Sequence, residues 1–164
     1  PDHYHASTYA IASGLVLMIL VLLWQSPQTV LFQLQGGLRW IPRALSLLAM
    51  LGFAWGVHAL RHFDALGITP IRAHLRGLQL RPPVFVVRGP YRWVRHPLYF
   101  FSLVLIWSTP DFSTDRLLLN TLWSLWIVLG TCLEERDLFA EFGDDYRRYR
   151  KAVPMLIPWR WPGT

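Results

Sequence analysis

Polar and apolar positions are unevenly distributed along the chain, with the apolar ones gathered into four stretches. The first covers about residues 9–24 and carries no charge. The second covers about residues 41–60, and only Pro42, Arg43 and His58 interrupt it, near its ends. The third is short, residues 98–109, and the fourth covers residues 117–133. A helix needs about 20 residues to cross the hydrocarbon of a bilayer, within a range of about 17–25. The first, second and fourth stretches meet or nearly meet that length; the third does not. Pro97 suits the first turn of the third helix, where its missing N–H is harmless. Thr109-Pro110-Asp111-Phe112-Ser113 reads as a turn, which makes the last two helices a helical hairpin. The pattern predicts an all-α fold: a polytopic transmembrane helical bundle of about four membrane helices, one domain over residues 1–164.

Composition supports this. Only 16% of residues are charged and 53% are hydrophobic, with a mean hydropathy of +0.29. Soluble domains carry about 25% charged residues. Nine tryptophans suit a protein with two lipid–water interfaces, where an amphipathic ring has one apolar and one wet side. The formal charge of +6 raises the question of nucleic acid, but the arginines sit between apolar stretches, which points to membrane lipids as partners and away from nucleic acid. Residues 61–96 hold seven arginines and the tail after Glu134 six basic residues, whereas only Arg39, Arg43 and Arg116 lie in the segments that would face the other side. Thirteen against three places the loop and the tail in the cytoplasm by the positive-inside rule. The expected location is a multi-pass cell (inner) membrane protein.

The single cysteine, Cys132, excludes an internal disulfide framework or a cysteine zinc cage, and in its apolar run it reads as an inert packing residue. No metal site is expected. No strand–Gly-loop–helix unit is visible, which argues against a soluble nucleotide-binding fold. Residues 67–87, with Pro70, Gly77, Pro82 and Pro83, read as an irregular cytoplasmic loop. The chain opens Pro1-Asp2-His3 without a Met, and the expectation is that a natural N-terminal portion precedes it.

Three polar clusters converge on the cytoplasmic face. One is Arg88-Gly89-Pro90-Tyr91-Arg92-Trp93-Val94-Arg95-His96-Pro97-Leu98-Tyr99. The second is Glu134-Glu135, closing the fourth apolar stretch, followed by Phe142-Gly143-Asp144-Asp145-Tyr146. The third is His58, His62 and Asp64. Two adjacent carboxylates after an apolar run are costly near lipid unless paired or facing a polar cavity. Their natural partners are arginines of the first cluster or the ammonium of a bound ligand. Each cluster also has a structural reading: arginines binding lipid phosphates, tyrosines and Trp93 as interfacial belt aromatics, the glutamates ion-paired to Arg95 or to neighbours of Arg136, and His62 as a capping or interface residue. His58 reads as structural.

Taken in order, these residues resemble a known family. Gly89-Pro90-Tyr91, Arg95-His96-Pro97-x-Tyr99, Glu134-Glu135 and Phe142-Gly143-x-x-Tyr146-x-x-Tyr149-x-x-x-Val153-Pro154 resemble the C-terminal core of the isoprenylcysteine carboxyl methyltransferase and phospholipid methyltransferase superfamily, over about residues 81–158. Ser7-Thr8-Tyr9, His62-Phe63-Asp64-x-x-Gly67, Leu133-Glu134-Glu135-Arg136-Asp137-Leu138 and Val153-Pro154-Met155-Leu156 are similar to the narrower group of bacterial methanethiol S-methyltransferase-like membrane proteins. The resemblance implies S-adenosyl-L-methionine as cofactor, held by a cytoplasmic loop and a C-terminal helix. It places the cofactor contacts on the backbone of Pro83, Val84, Phe85 and Val86, on Tyr91, on His96, Pro97, Leu98 and Tyr99, and on Glu134 or Glu135. A carboxylate at the membrane edge suits the cofactor's ammonium, and Tyr91 offers an aromatic wall.

Two positions depart from the family pattern. A Gly often stands two residues after the motif tyrosine, where this chain has Phe101. The prenylcysteine enzymes carry an Arg one helical turn before the glutamates, where this chain has Gly130. That loss of counter-charge argues for a small or neutral acceptor. The leading expectation is S-methylation of a small thiol, methanethiol going to dimethyl sulfide, with His62 or Asp64 as base or orienter, since the thiolate is the nucleophile. The alternatives are a lipid-like acceptor (a phospholipid amine or a prenylcysteine carboxylate), an NADPH-dependent membrane reductase, and a non-catalytic lipid-binding protein.

Overall fold

The computed structural model describes residues 29–60 and 85–160, together with residues 12, 15, 18, 19, 22, 75 and 76. The chain divides into two compact units, Pro1–Ser26 with His62–Val84, and Pro27–Arg61 with Phe85–Thr164. In the first unit, Ala12, Leu15, Met18, Ile19 and Leu22 are helical and exposed, within the stretch expected to form the first membrane helix. The remaining residues of that stretch lie outside the described residues.

The second unit carries the described elements. Strand β1 (Val30–Gln33) is followed by a 3₁₀ turn (Gly36–Arg39) and helix α1 (Trp40–Ala59). After a second 3₁₀ turn (Gly89–Arg92) come α2 (Pro97–Trp107), strand β2 (Asp111–Ser113) and α3 (Thr114–Ala152). Helix α1 begins and ends within one residue of the apolar stretch that predicts it. Pro97 opens α2 at the first helical position, as expected, and is fully buried. Gly36–Ala59 and Thr114–Ala152 are long and apolar enough to cross a bilayer, while α2 is shorter. Only 11% and 17% of the two apolar windows are buried inside the protein, so their side chains face outward, unlike those of a soluble core helix. Leu48, Trp126 and Leu129, each about 60% exposed, illustrate this lipid-compatible surface.

Two expectations are corrected here. Asp111 to Ser113, read as part of a turn, forms a strand antiparallel to β1, with Val30 opposite Ser113 and Gln33 opposite Asp111. Arg39 Nη2 locks this ribbon to the start of α1 through Asp111 Oδ2 at 2.6 Å. The fourth apolar stretch is only the first part of its helix, which continues through the polar sequence to Ala152 and breaks at Gly143 (φ 51°, ψ −119°). Only glycine adopts such a backbone routinely.

Helix α1 packs along α2 at close range. A methyl group added at Gly52 would sit 2.2 Å from the Phe101 ring, and one at Gly56 would sit 2.7 Å from Leu98 Cδ2. Gly52 and Gly56 therefore form a slot that receives the α2 side chains, the small-residue packing by which membrane helices approach each other without a hydrophobic driving force. Phe101, the bulky departure from the family pattern, fills this slot. Asn120 on α3 donates to the Ile106 carbonyl at 2.8 Å, and Trp107 Nε1 donates to Ser124 Oγ at 3.0 Å, tying α2 to α3 as the hairpin requires.

Candidate functional site

The site forms where the start of α2 meets the middle of α3. Glu135 is its centre and is 7% exposed. Arg95 approaches its carboxylate with two nitrogens, Nε at 2.6 Å from Oε1 and Nη2 at 3.1 Å from Oε2, the fork geometry that makes arginine–carboxylate pairs strong. His96 Nε2 lies 3.1 Å from the same Oε1, and Tyr146 Oη donates to it at 2.8 Å. Arg150 Nε adds a looser contact at 3.5 Å. Tyr146 stands eleven residues beyond Glu135, a distance of about 16 Å along an unbroken helix. The break at Gly143 lets the last part of α3 turn back, and this is what brings the phenol to the carboxylate.

The same arginine holds the C-terminal segment. Arg95 Nη1 donates to the carbonyls of Arg150 (2.9 Å) and Val153 (2.6 Å). The backbone N–H groups of Arg95 and His96 donate to Pro154 and Met155. Phe85 packs its ring against Phe142, Tyr146 and Tyr149, with centroids 5.2–6.0 Å apart. Tyr149 Oη donates to the Tyr91 carbonyl at 2.5 Å, fixing the Gly89–Arg92 turn.

Glu134 differs from its neighbour. Its side chain is 45% exposed, yet Oε2 is shielded from solvent and makes no hydrogen bond; His96 Nδ1 lies 3.6 Å away. A shielded carboxylate oxygen without a donor is costly. His96 is thus held between the two acids, and its ring stacks on Tyr99 at 5.8 Å and 18°. Tyr91 faces the same place. Burial, reinforced by the Glu134 carboxylate and by Tyr99, pushes its phenol well above the ordinary tyrosine value, so it remains a neutral hydrogen-bond donor. On the Cys132 side of α3, a cavity of about 340 Å³ is lined by Cys132, Glu135, Arg136, Phe139, Arg150 and Met155. Cys132 is exposed there, which corrects its expected packing role.

Against this geometry, the comparison with known proteins is decisive. The chain is 34% identical to methanethiol S-methyltransferase 1 of Bradyrhizobium diazoefficiens over 160 residues, 94% of this chain and 54% of that protein. It is 34% identical to the methanethiol S-methyltransferase of a Pseudomonas species, over 98% of this chain and 62% of that protein. The chain belongs to this family. The methanethiol S-methyltransferase of Mycobacterium tuberculosis is 32% identical over 97% of this chain and 66% of its own length, and Nurim of Rattus norvegicus is 26% identical over 80% of this chain. The chain spans between about half and two thirds of the length of the methanethiol S-methyltransferases it matches. No family model matches it, and no solved structure does.

In this member of the methanethiol S-methyltransferase family the expected site residues fall into three groups. Tyr91, His96, Tyr99, Glu134 and Glu135 come together around the acids. Phe85 lies in the adjoining aromatic cluster, Val86 is half exposed, Pro97 is buried, and Leu98 packs on Gly56. Pro83, Val84, His62 and Asp64 lie outside the described residues. Sequence reasoning assigned no site role to Tyr146, Tyr149, Arg150 or the Gly52/Gly56 slot. The G-x-x-x-G spacing of the two glycines was the available signal for the slot. Among the described residues, no cluster of His, Cys, Asp and Glu could hold a metal ion.

Proposed function

We propose that this chain is the membrane core of an S-adenosyl-L-methionine-dependent methyltransferase that S-methylates a small thiol, methanethiol giving dimethyl sulfide. The observation that carries the cofactor assignment is Glu134 Oε2, a shielded acceptor without a hydrogen-bond donor beside Tyr91, Tyr99 and His96. The activity by which the relatives are named supports the acceptor. In this reading the cofactor-binding core covers residues 81–158 and the protein is multi-pass in the cell (inner) membrane, its site facing the cytoplasm.

The residues present suit the cofactor. Glu134 Oε2 would receive its ammonium, Tyr91 and Tyr99 would wall its ring system, and the backbone from Pro83 to Val86 would supply further contacts. When bound, S-adenosylmethionine supplies an electrophilic methyl group on a sulfonium. Arg95, His96 and Tyr146 engage Glu135, so of the two acids only Glu134 has a shielded oxygen without a hydrogen-bond donor among the described residues. The buried Pro97 opens α2 and Leu98 packs its first turn against Gly56, which would keep His96 and Tyr99 on the site. His62 or Asp64 would take the thiol proton or orient the thiolate, and alignment together with exclusion of water would carry the rate.

Gly130, one turn before Glu134, has nothing within 4 Å of an added methyl position. With no cation there among the described residues to balance a carboxylate, the acceptor is small or neutral, which disfavours a prenylcysteine. A carboxylate oxygen without a donor also repels the phosphates of NADPH, which disfavours the reductase reading. Headspace detection of dimethyl sulfide from expressing cells given methanethiol tests the proposal. A clear excess over an empty-vector control is expected, and the absence of any excess would refute the thiol assignment.

A further inference from the structure

A second polar region lies at the other end of α1 and α3. Arg116 precedes Glu134 by eighteen residues, about 27 Å along a helix, close to the roughly 30 Å thickness of a bilayer's hydrocarbon. Arg116 therefore stands near the opposite interface from the acids. Beside it is a cavity of about 490 Å³ whose lining includes Arg43 from the first turn of α1 and Arg116 from the first turn of α3, with Leu105 and Leu119 as apolar walls. Among the described residues, no Asp or Glu lines it.

The cavity follows from the shortness of α2. Its eleven residues rise about 16 Å, roughly half the hydrocarbon thickness, so its last carbonyls end in apolar surroundings and need donors. Ser46 Oγ donates to the Ser108 carbonyl at 2.7 Å, Ser108 Oγ to the Val104 carbonyl at 2.5 Å, and Asn120 to the Ile106 carbonyl. Those polar groups are committed to the backbone. The guanidinium groups are not saturated: a guanidinium has five N–H donors, and Arg116 uses Nη1 on Thr109 Oγ1 and the Asp111 carbonyl. Arg43 stacks over the Trp40 ring at 5.2 Å, an arrangement that leaves its edge donors open. Asp111, at the same end, is already paired with Arg39.

We propose that Arg43 and Arg116 bind the phosphate of an anionic membrane phospholipid. Two arginines line one cavity whose described lining holds no carboxylate, and their planar forks match phosphate oxygens. Basic pockets between membrane helices are suited to lipid headgroups. Leu47, one turn on from Arg43 and 54% exposed, and Leu105, an exposed residue of the lining, offer a path for acyl chains. Because no carboxylate lines the cavity, an amine-bearing headgroup gains nothing from its ammonium, and the site selects phosphatidylglycerol over phosphatidylethanolamine. This inference depends on the membrane placement of α1 and α3 and is independent of the methyl transfer.

Native mass spectrometry of the purified chain released from nanodiscs tests it, with phosphatidylglycerol and phosphatidylethanolamine as alternative lipids. The wild type is expected to retain phosphatidylglycerol preferentially. Arg43→Gln and Arg116→Gln are each expected to lower that retention about tenfold, the worth of one charge-assisted hydrogen bond. Arg147→Gln, at the far end of α3, is expected to leave it unchanged. Unaltered circular dichroism certifies that each variant is folded, and Arg43→Lys, which keeps the charge, is expected to retain lipid better than Arg43→Gln. Equal retention by the Arg43→Gln/Arg116→Gln double variant and the wild type, or equal retention of both lipids, would overturn the proposal. Displacement of phosphatidylglycerol by millimolar inorganic phosphate would instead make this a free-phosphate site and overturn the lipid assignment.

Discussion

Replacing Glu134 by Gln removes one negative charge and keeps the side chain's shape, and its consequence can be separated from that of the same change one residue later. A hydrogen bond to a charged group contributes about 1.5–3 kcal/mol. The Glu134 side chain is 45% exposed, so solvent screening moves its contribution to the lower end. A loss of about 1.4 kcal/mol corresponds to a tenfold weaker methyl donor. Glu134→Gln is therefore expected to raise the donor's Kd about tenfold by isothermal titration in detergent, with the thermal unfolding midpoint not lowered. Glu135→Gln should do the reverse. It leaves the Arg95 side chain, 8% exposed, without its ionic partner, and an uncompensated buried charge costs about 3–5 kcal/mol. Stability falls, and donor affinity in the fraction that stays folded changes less than for Glu134→Gln. Wild-type donor affinity in Glu134→Gln, or lost affinity with intact stability in Glu135→Gln, would refute this division of roles.

Other substitutions probe the supports of the site. Arg95→Lys keeps the charge but loses the two-pronged contact with Glu135 and the tie to the Val153 carbonyl, and is expected to cost about 2 kcal/mol or more of stability, read as earlier proteolysis of the C-terminal segment. Gly52→Ala forces the Phe101 ring aside and is expected to cost about 1–3 kcal/mol in chemical denaturation, with Gly52→Ala/Phe101→Leu recovering part of it. Gly143→Ala places a side chain at φ 51° and is expected to cost about 1–2 kcal/mol; the accompanying loss of the Tyr146–Glu135 hydrogen bond is measurable by Tyr146→Phe in a double-mutant cycle.

Hydrophobicity located the helices well where lipid is the relevant solvent and poorly elsewhere. Helix α1 and the start of α2 follow directly from apolar runs and from Pro97. The polar continuation of α3 to Ala152 has no such apolar run, because it is held by a few rings packed on Phe85, by the Tyr146 and Arg150 contacts with Glu135 and by the Arg95 tie to Val153. The pairing of Val30–Gln33 with Asp111–Ser113 joins segments some eighty positions apart, and local pattern carries no information about that partner. The site was legible as a set: the motif residues Arg95, His96, Tyr99, Glu134 and Glu135 were all singled out, and the structure brings them together. The division of labour between the two acids was not legible. Adjacent helical residues point about 100° apart, so one faces Arg95 and the other faces Tyr91, and only coordinates distinguish them. Phe101 illustrates the same limit, since it departs from a family pattern yet fits the slot left by Gly52.

The central claim is that Glu135 is closed by Arg95, His96 and Tyr146 so that Glu134 can receive a cationic methyl donor. A structure of the protein with S-adenosylmethionine bound tests it most directly. The account predicts the donor's ammonium within hydrogen-bond distance of Glu134 Oε2, with the Arg95–Glu135–His96 contacts unchanged. An ammonium bound elsewhere, or Glu135 released from Arg95 to receive it, would contradict the account.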